Sequence, residues 1–166
     1  MSDAAAEFWR FSLAIYARPG VASACLMLQD EHGRDVNLVL YCCWLGISGR
    51  GRLDHDSLAV ADRAIAGWRH DVVEKFRAAR RAIKAAALPE SDGLYAKAKG
   101  VELEAERLLQ RRLVEQALPA NGAAAAAQRL ADALANLALY IGDAPAVAIR
   151  DALAAMAAND FQVAAG

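Results

Sequence analysis

The sequence predicts an all-α protein, a single domain over residues 1–166 built as an irregular bundle of seven or eight helices. Three observations carry this. Alanine fills 41 of the 166 positions, leucine 20 and threonine none, and Ala and Leu lose least on entering a helix. Apolar residues recur at helical rather than alternating spacing in almost every segment. The length suits one core, burying about 68 to 70% of the unfolded surface without a metal, disulfide or cofactor, so no cofactor is expected.

Ser2 and Asp3 are suited to cap a first helix in which Phe8, Phe11 and Ile15 line one face and Trp9, Leu13 and Tyr16 the next. Arg18-Pro19-Gly20 interrupts it. A short helix follows from about Val21 to Gln29, with Cys25 and Leu28 on one side, and His32-Gly33 ends it. Asp35 caps a third helix, apolar around almost its whole circumference from Val36 to Ile47. A buried strand over Val36–Tyr41 competes, but no second β-branched run exists to pair with it. These segments form an apolar N-terminal core over residues 3–48.

ISGRGR, Ile47–Arg52, reads as a flexible loop. Asp54 or Asp56 then starts a helix with Leu58, Ala61, Ile65 and Trp68 on one face, and Gly67 marks a bend or break. From Asp71 onward Val72, Phe76, Ala79 and Ile83 form an apolar stripe that Lys75, Arg77, Arg80, Arg81 and Lys84 avoid. This is the basic helix, residues 69–88, closed by Leu88-Pro89. The amphipathic helices of residues 92–158 come next. The first, about Asp92–Leu118, carries Val101, Leu108 or Leu109, Leu113 and Leu118 on its apolar side, with Glu102 and Glu106 on its solvated face. After a turn at Pro119–Gly122, Ala123–Ala127 open a helix with the stripe Leu130, Leu134, Leu137 and Ile141, the alanines serving as a close packing face. Gly142-Asp143 ends it, and Pro145 begins a last helix through about Ala158.

A net charge of −1 supplies no global field for nucleic acid or an anionic membrane, so nucleic acid is a disfavoured partner. The longest apolar stretch, Leu38–Ile47, is too short to span a bilayer. Cys25, Cys42 and Cys43 are odd in number, form no C-x-x-C pair and read as reduced core thiols. The first nine residues lack the basic stretch of a signal peptide. The expected location is the cytoplasm.

Chemistry has few candidate sites. Asp54-His55-Asp56 is more simply a helix cap than a metal cluster, His32 and His70 have no partner at ligand spacing, and GISGRG lacks the Lys-Ser/Thr ending of a phosphate loop. No catalytic residue is assigned. Charge does concentrate, with net +4 over residues 49–88. There Arg77, Arg80, Arg81 and Lys84, joined by Arg69, either converge on a phosphate or carboxylate or form the solvated side of an amphipathic helix. Trp44, Trp68 and Tyr41 either pack the core or wall an apolar pocket, with Ser12, Ser23, Gln29 and Asn37 as candidate partners for the indoles.

FWRFSLAIYARPGVASACLMLQDEHGRDVNLVLYCCWLG, Phe8–Gly46, and WRHDVVEKFRAARRAIK, Trp68–Lys84, resemble an uncharacterised family of small helical proteobacterial proteins. The resemblance implies a bacterial, cytoplasmic domain of unknown function and carries over no catalytic residue. Two functions are expected. One is a non-enzymatic adaptor or regulatory module that binds a protein partner, or a second copy as a homodimer, through the basic or the alanine-rich helix face. The other is a binding protein or enzyme for an anionic amphiphile, an acyl or prenyl phosphate, in an apolar pocket walled by Trp44, Trp68 and Tyr41 with Arg69, Arg77 and Arg81 at its mouth.

Overall fold

The chain folds around its most apolar segment. The computed structural model describes residues 3–121 and 124–158, which form eight α-helices and one π turn: α1 (Asp3–Tyr16), α2 (Val21–Asp30), α3 (Val36–Ile47), α4 (His55–Trp68), the π turn (Arg69–Val73), α5 (Glu74–Ala86), α6 (Asp92–Val114), α7 (Ala126–Ile141) and α8 (Val147–Ala158). No strand occurs among the described residues, so Val36–Tyr41 is helix. Every residue of α3 from Asn37 to Ile47 is buried, because no side of this helix is polar enough to face water. α7 runs along it most extensively, and α1, α2, α6 and α8 cover the rest. Asp35 caps α3 as expected, its carboxylate accepting the Leu38 amide at 3.0 Å. Asp54 does the same for α4 through the Ser57 amide at 2.7 Å.

The close helix approach falls at a different place from the one expected. A Cβ on Gly46 would stand 2.1 Å from the Ala133 backbone nitrogen, so α3 and α7 touch backbone to backbone where α3 has no side chain. Of the alanine run, none of the described Ala124–Ala127 is buried and α7 begins only at Ala126, while Gly122 and Ala123, like the cap residue Ser2, lie outside the described residues. In α1 one of the two apolar faces is used. Phe8, Phe11 and Ile15 are fully buried, whereas Leu13 and Tyr16 stay exposed.

The ISGRGR segment is not a free loop. Arg50 donates to Glu7 Oε2 at 3.3 Å and to the Leu118 carbonyl at 2.8 Å, and its guanidinium lies 4.5 Å from the centre of the Trp44 ring. Arg52 Nε bonds Asp132 at 2.8 Å. Asn136, 1% exposed, accepts the Leu53 amide at 2.8 Å and donates to the Gly51 and Cys42 carbonyls at 3.0 and 3.3 Å. Its amide thus closes a buried polar junction between the loop, α3 and α7. Asn136→Ala is expected to cost about 3 kcal/mol in urea denaturation, because the orphaned buried groups carry about 1–3 kcal/mol each.

No single helix among the described residues is long and apolar enough to cross a membrane. The three cysteines are free and buried, and burial pushes the Cys25 and Cys42 thiols up to about 12.

Candidate functional site

The basic helix owes its orientation to the π turn that precedes it. The stripe Leu58, Ala61, Ile65 and Trp68, continued at unbroken α spacing, runs into Val72, Phe76, Ala79 and Ile83. A π turn inserts one extra residue, which rotates the helix after it by about 100°. Located at Arg69–Val73, just after the bend expected at Gly67, it moves the inward positions on by one, to Val73, Arg77 and Arg80. Val73 is 1% exposed, and the two arginines point at α6. Of α5 itself no residue is fully buried, and Phe76 and Ala79 of the expected core stripe are exposed.

The face of α6 that meets these arginines is correspondingly acidic. Arg77 Nε and Nη2 reach Glu102 at 3.3 Å and Glu106 at 2.8 Å. Arg80 holds the same Glu102 through Nε, and through Nη2 at 3.2 Å. The side chain of Glu102 is only 8% exposed. Glu102 therefore does not belong to a solvated face, and Val101 and Leu118, expected inside, are exposed. Burying a carboxylate is tolerable only because two guanidiniums share it. Burial opposes the charge on Arg77, but its bonds to Glu106 and Glu102 outweigh that and hold the guanidinium charged. Burial pushes the Glu106 carboxyl up against the pull of Arg77.

The remaining sequence-predicted site residues are dispersed. Arg81 pairs with Asp30 of α2 at 3.1 Å, Arg69 with Asp62 at 2.6 Å, and Lys84 is exposed with no ion pair among the described residues. Trp44 is fully buried, stacked on Phe8 at 4.9 Å between ring centres and bonded through its indole to Glu7 at 3.1 Å. Trp68 donates to the Ala105 carbonyl at 3.0 Å, with Arg112 over its ring. The apolar pocket expected of Trp44, Trp68 and Tyr41 is not assembled: Trp44 and Tyr41 pack core, and Arg81 turns to a different partner. None of the expected indole partners is used. Ser12 and Asn37 instead engage the buried Gln110.

What does open to solvent is a polar cleft of about 410 Å³. Arg69 and Arg77 line it together with Arg34, Asp62, Glu74 and Tyr140. Arg34 and Tyr140 escaped sequence reasoning, since 105 residues separate the Tyr140 hydroxyl from the Asp35 amide that it accepts at 2.8 Å.

Over residues 7–113 the chain matches the family described as "Protein of unknown function (DUF2390)". The chain belongs to the DUF2390 family. The DUF2390 match takes in the arginines of α5, their acidic partners on α6 and Arg34, while α7 with Tyr140 lies beyond it. No curated protein and no solved structure matches the chain.

Proposed function

We propose that this DUF2390 protein is a non-enzymatic helical adaptor of the bacterial cytoplasm that docks a protein partner on the outer side of the α5–α6 hairpin. One observation carries the reading. α5 is 13 residues long and buries none of them, although helices of that length are marginal without an apolar face packed against something. Arg77 and Arg80 are turned inward onto Glu102, and the stripe Phe76, Ala79 and Ile83 is left open or half-open.

α6 runs back antiparallel to α5, and helical geometry brings Leu94 and Val101 to the same side of the hairpin as that stripe. Among the described residues, Phe76, Leu94 and Val101 on this side are large apolar side chains that stay exposed, as is Leu88 in the turn between the helices; Leu103, about 200° on from Val101, lies on the opposite side. Exposed apolar residues gathered on one side support a binding face over scattered surface. Lys75 and Lys97 flank it, with no ion pair among the described residues, so the partner that fits is an apolar helix with an acidic rim.

A photo-crosslinking residue placed at position 76 or 94 in cells tests this, with position 147 on α8, also exposed, as control. The expected result is one discrete adduct at 76 and 94, absent at 147 and abolished by Lys75→Glu with Lys97→Glu. An adduct of twice the chain mass identifies the partner as a second copy. Equal products at all three positions, or none at 76 and 94, overturn the reading.

A further inference from the structure

We propose that the cleft between the α2–α3 turn, the end of α4 and α7 binds a single oxyanion, the carboxylate or phosphate of a small polar molecule, on Arg34 and Tyr140. This site is separate from the hairpin face and does not depend on it.

Unused hydrogen-bond donors point to the ligand. Of the three arginines that line the cleft, Arg69 is held by Asp62 and Arg77 by Glu102 and Glu106. Arg34 has no carboxylate partner among the described residues, and its Nε is buried with no hydrogen-bond acceptor. A buried donor left unsatisfied is costly, more so where the group is charged, and native folds rarely leave one without a use. Arg50 Nε is also without an acceptor, but that guanidinium is already anchored by Glu7 and the Leu118 carbonyl. The Arg34 side chain makes no such bond among the described residues.

Its position is nevertheless fixed. Gly33 turns the chain at φ +61, the Arg34 amide bonds back to the Leu28 carbonyl at 2.9 Å, and the guanidinium lies 5.5 Å from the centre of the Tyr140 ring. The Tyr140 hydroxyl accepts the Asp35 amide, which leaves its own proton without an acceptor among the described residues. Burial pushes that phenol up to about 12, so it remains a donor at neutral pH. Two placed donors, one of them cationic, thus border the same space with no described residue to receive them. A planar or tetrahedral oxyanion is the group that satisfies both at once.

The rest of the lining sets the size and charge of the ligand. Asp35, Asp62 and Glu74 line the same cleft and repel a second negative group, so the molecule carries one oxyanion and is otherwise neutral or cationic. Polar walls offer no berth to an acyl or prenyl chain in this cleft.

The test uses the full chain and the amide resonances of Gly33, Arg34 and Asp35, titrated with sodium acetate and with sodium phosphate against sodium chloride at matched ionic strength. The expected result is a saturable shift with a millimolar midpoint for acetate, phosphate or both, the stronger of the two naming the oxyanion. Arg34→Met is expected to weaken it at least tenfold and Arg34→Lys, which keeps the charge but loses the fork, by less. Tyr140→Phe is expected to weaken it several-fold, and Arg150→Met, at an exposed position of α8, not to change it. A response no different from chloride, or a midpoint unaltered in folded Arg34→Met, overturns the proposal. If Arg34→Met does not fold, unaltered midpoints in both Arg34→Lys and Tyr140→Phe overturn it instead.

Discussion

Gly46→Ala is expected to lower the stability of this protein by at least about 3 kcal/mol, the upper end of the usual cost of overpacking a core. The added methyl group would stand 2.1 Å from the Ala133 nitrogen and 2.3 Å from its Cα. Both are backbone atoms of a helix, so no rotamer change relieves the contact; α7 as a whole must move off α3. That movement strains the Asn136 junction beside it. Two helical glycines give the opposite sign. Gly67 and Gly100 lie within helices, and a Cβ at either meets nothing within 4 Å, so Gly→Ala there is expected to stabilise by about 0.5–1 kcal/mol through helix propensity alone. Urea midpoints of the three variants check the pattern, and similar values for all three would contradict it.

Glu102→Ala is the second large effect. Glu102 is shared by Arg77 and Arg80, and its loss leaves two half-buried guanidiniums with Glu106 as their remaining acid. Removing one partner from a buried ion pair costs about 3–5 kcal/mol. With Arg80 still partly solvated, about 2–3 kcal/mol is expected here. Glu102→Gln, which keeps the shape and one acceptor oxygen, is expected to cost about half as much. The damage should be local. Hydrogen exchange in α5 is expected to accelerate while α3 amides keep their protection, since α5 is held by these pairs rather than by an apolar core of its own.

Periodicity reveals the first fifty residues well and α5 badly, for a physical reason. In the opening segment apolar spacing, an Asp cap and the Pro-Gly break all act locally, so the helices, their ends and the buried face of Phe8, Phe11 and Ile15 are readable. The orientation of α5 is not, because one extra residue in the π turn moves the inward face from Val72, Phe76 and Ala79 to Val73, Arg77 and Arg80 without leaving a mark on the spacing of either helix. Glu102 then reads as solvated for the same reason: its partners lie on another helix, 22 and 25 residues away. Arg34 and Tyr140 are further removed still. Only the packing of α7 against α3 brings them together, through a glycine whose role is set by Ala133 on the far side of the chain.

Because the native thiols are buried, single introduced cysteines report directly on which side of α5 faces out, and the docking face depends on that orientation. Thiol labelling of Phe76→Cys and Ala79→Cys is expected to proceed at the rate of an exposed cysteine, with Val73→Cys and Arg80→Cys slower by roughly tenfold or more, as required when a site reacts only after local opening. Equal rates at the four positions, or fast labelling at 73 and 80 with protection at 76 and 79, would contradict it.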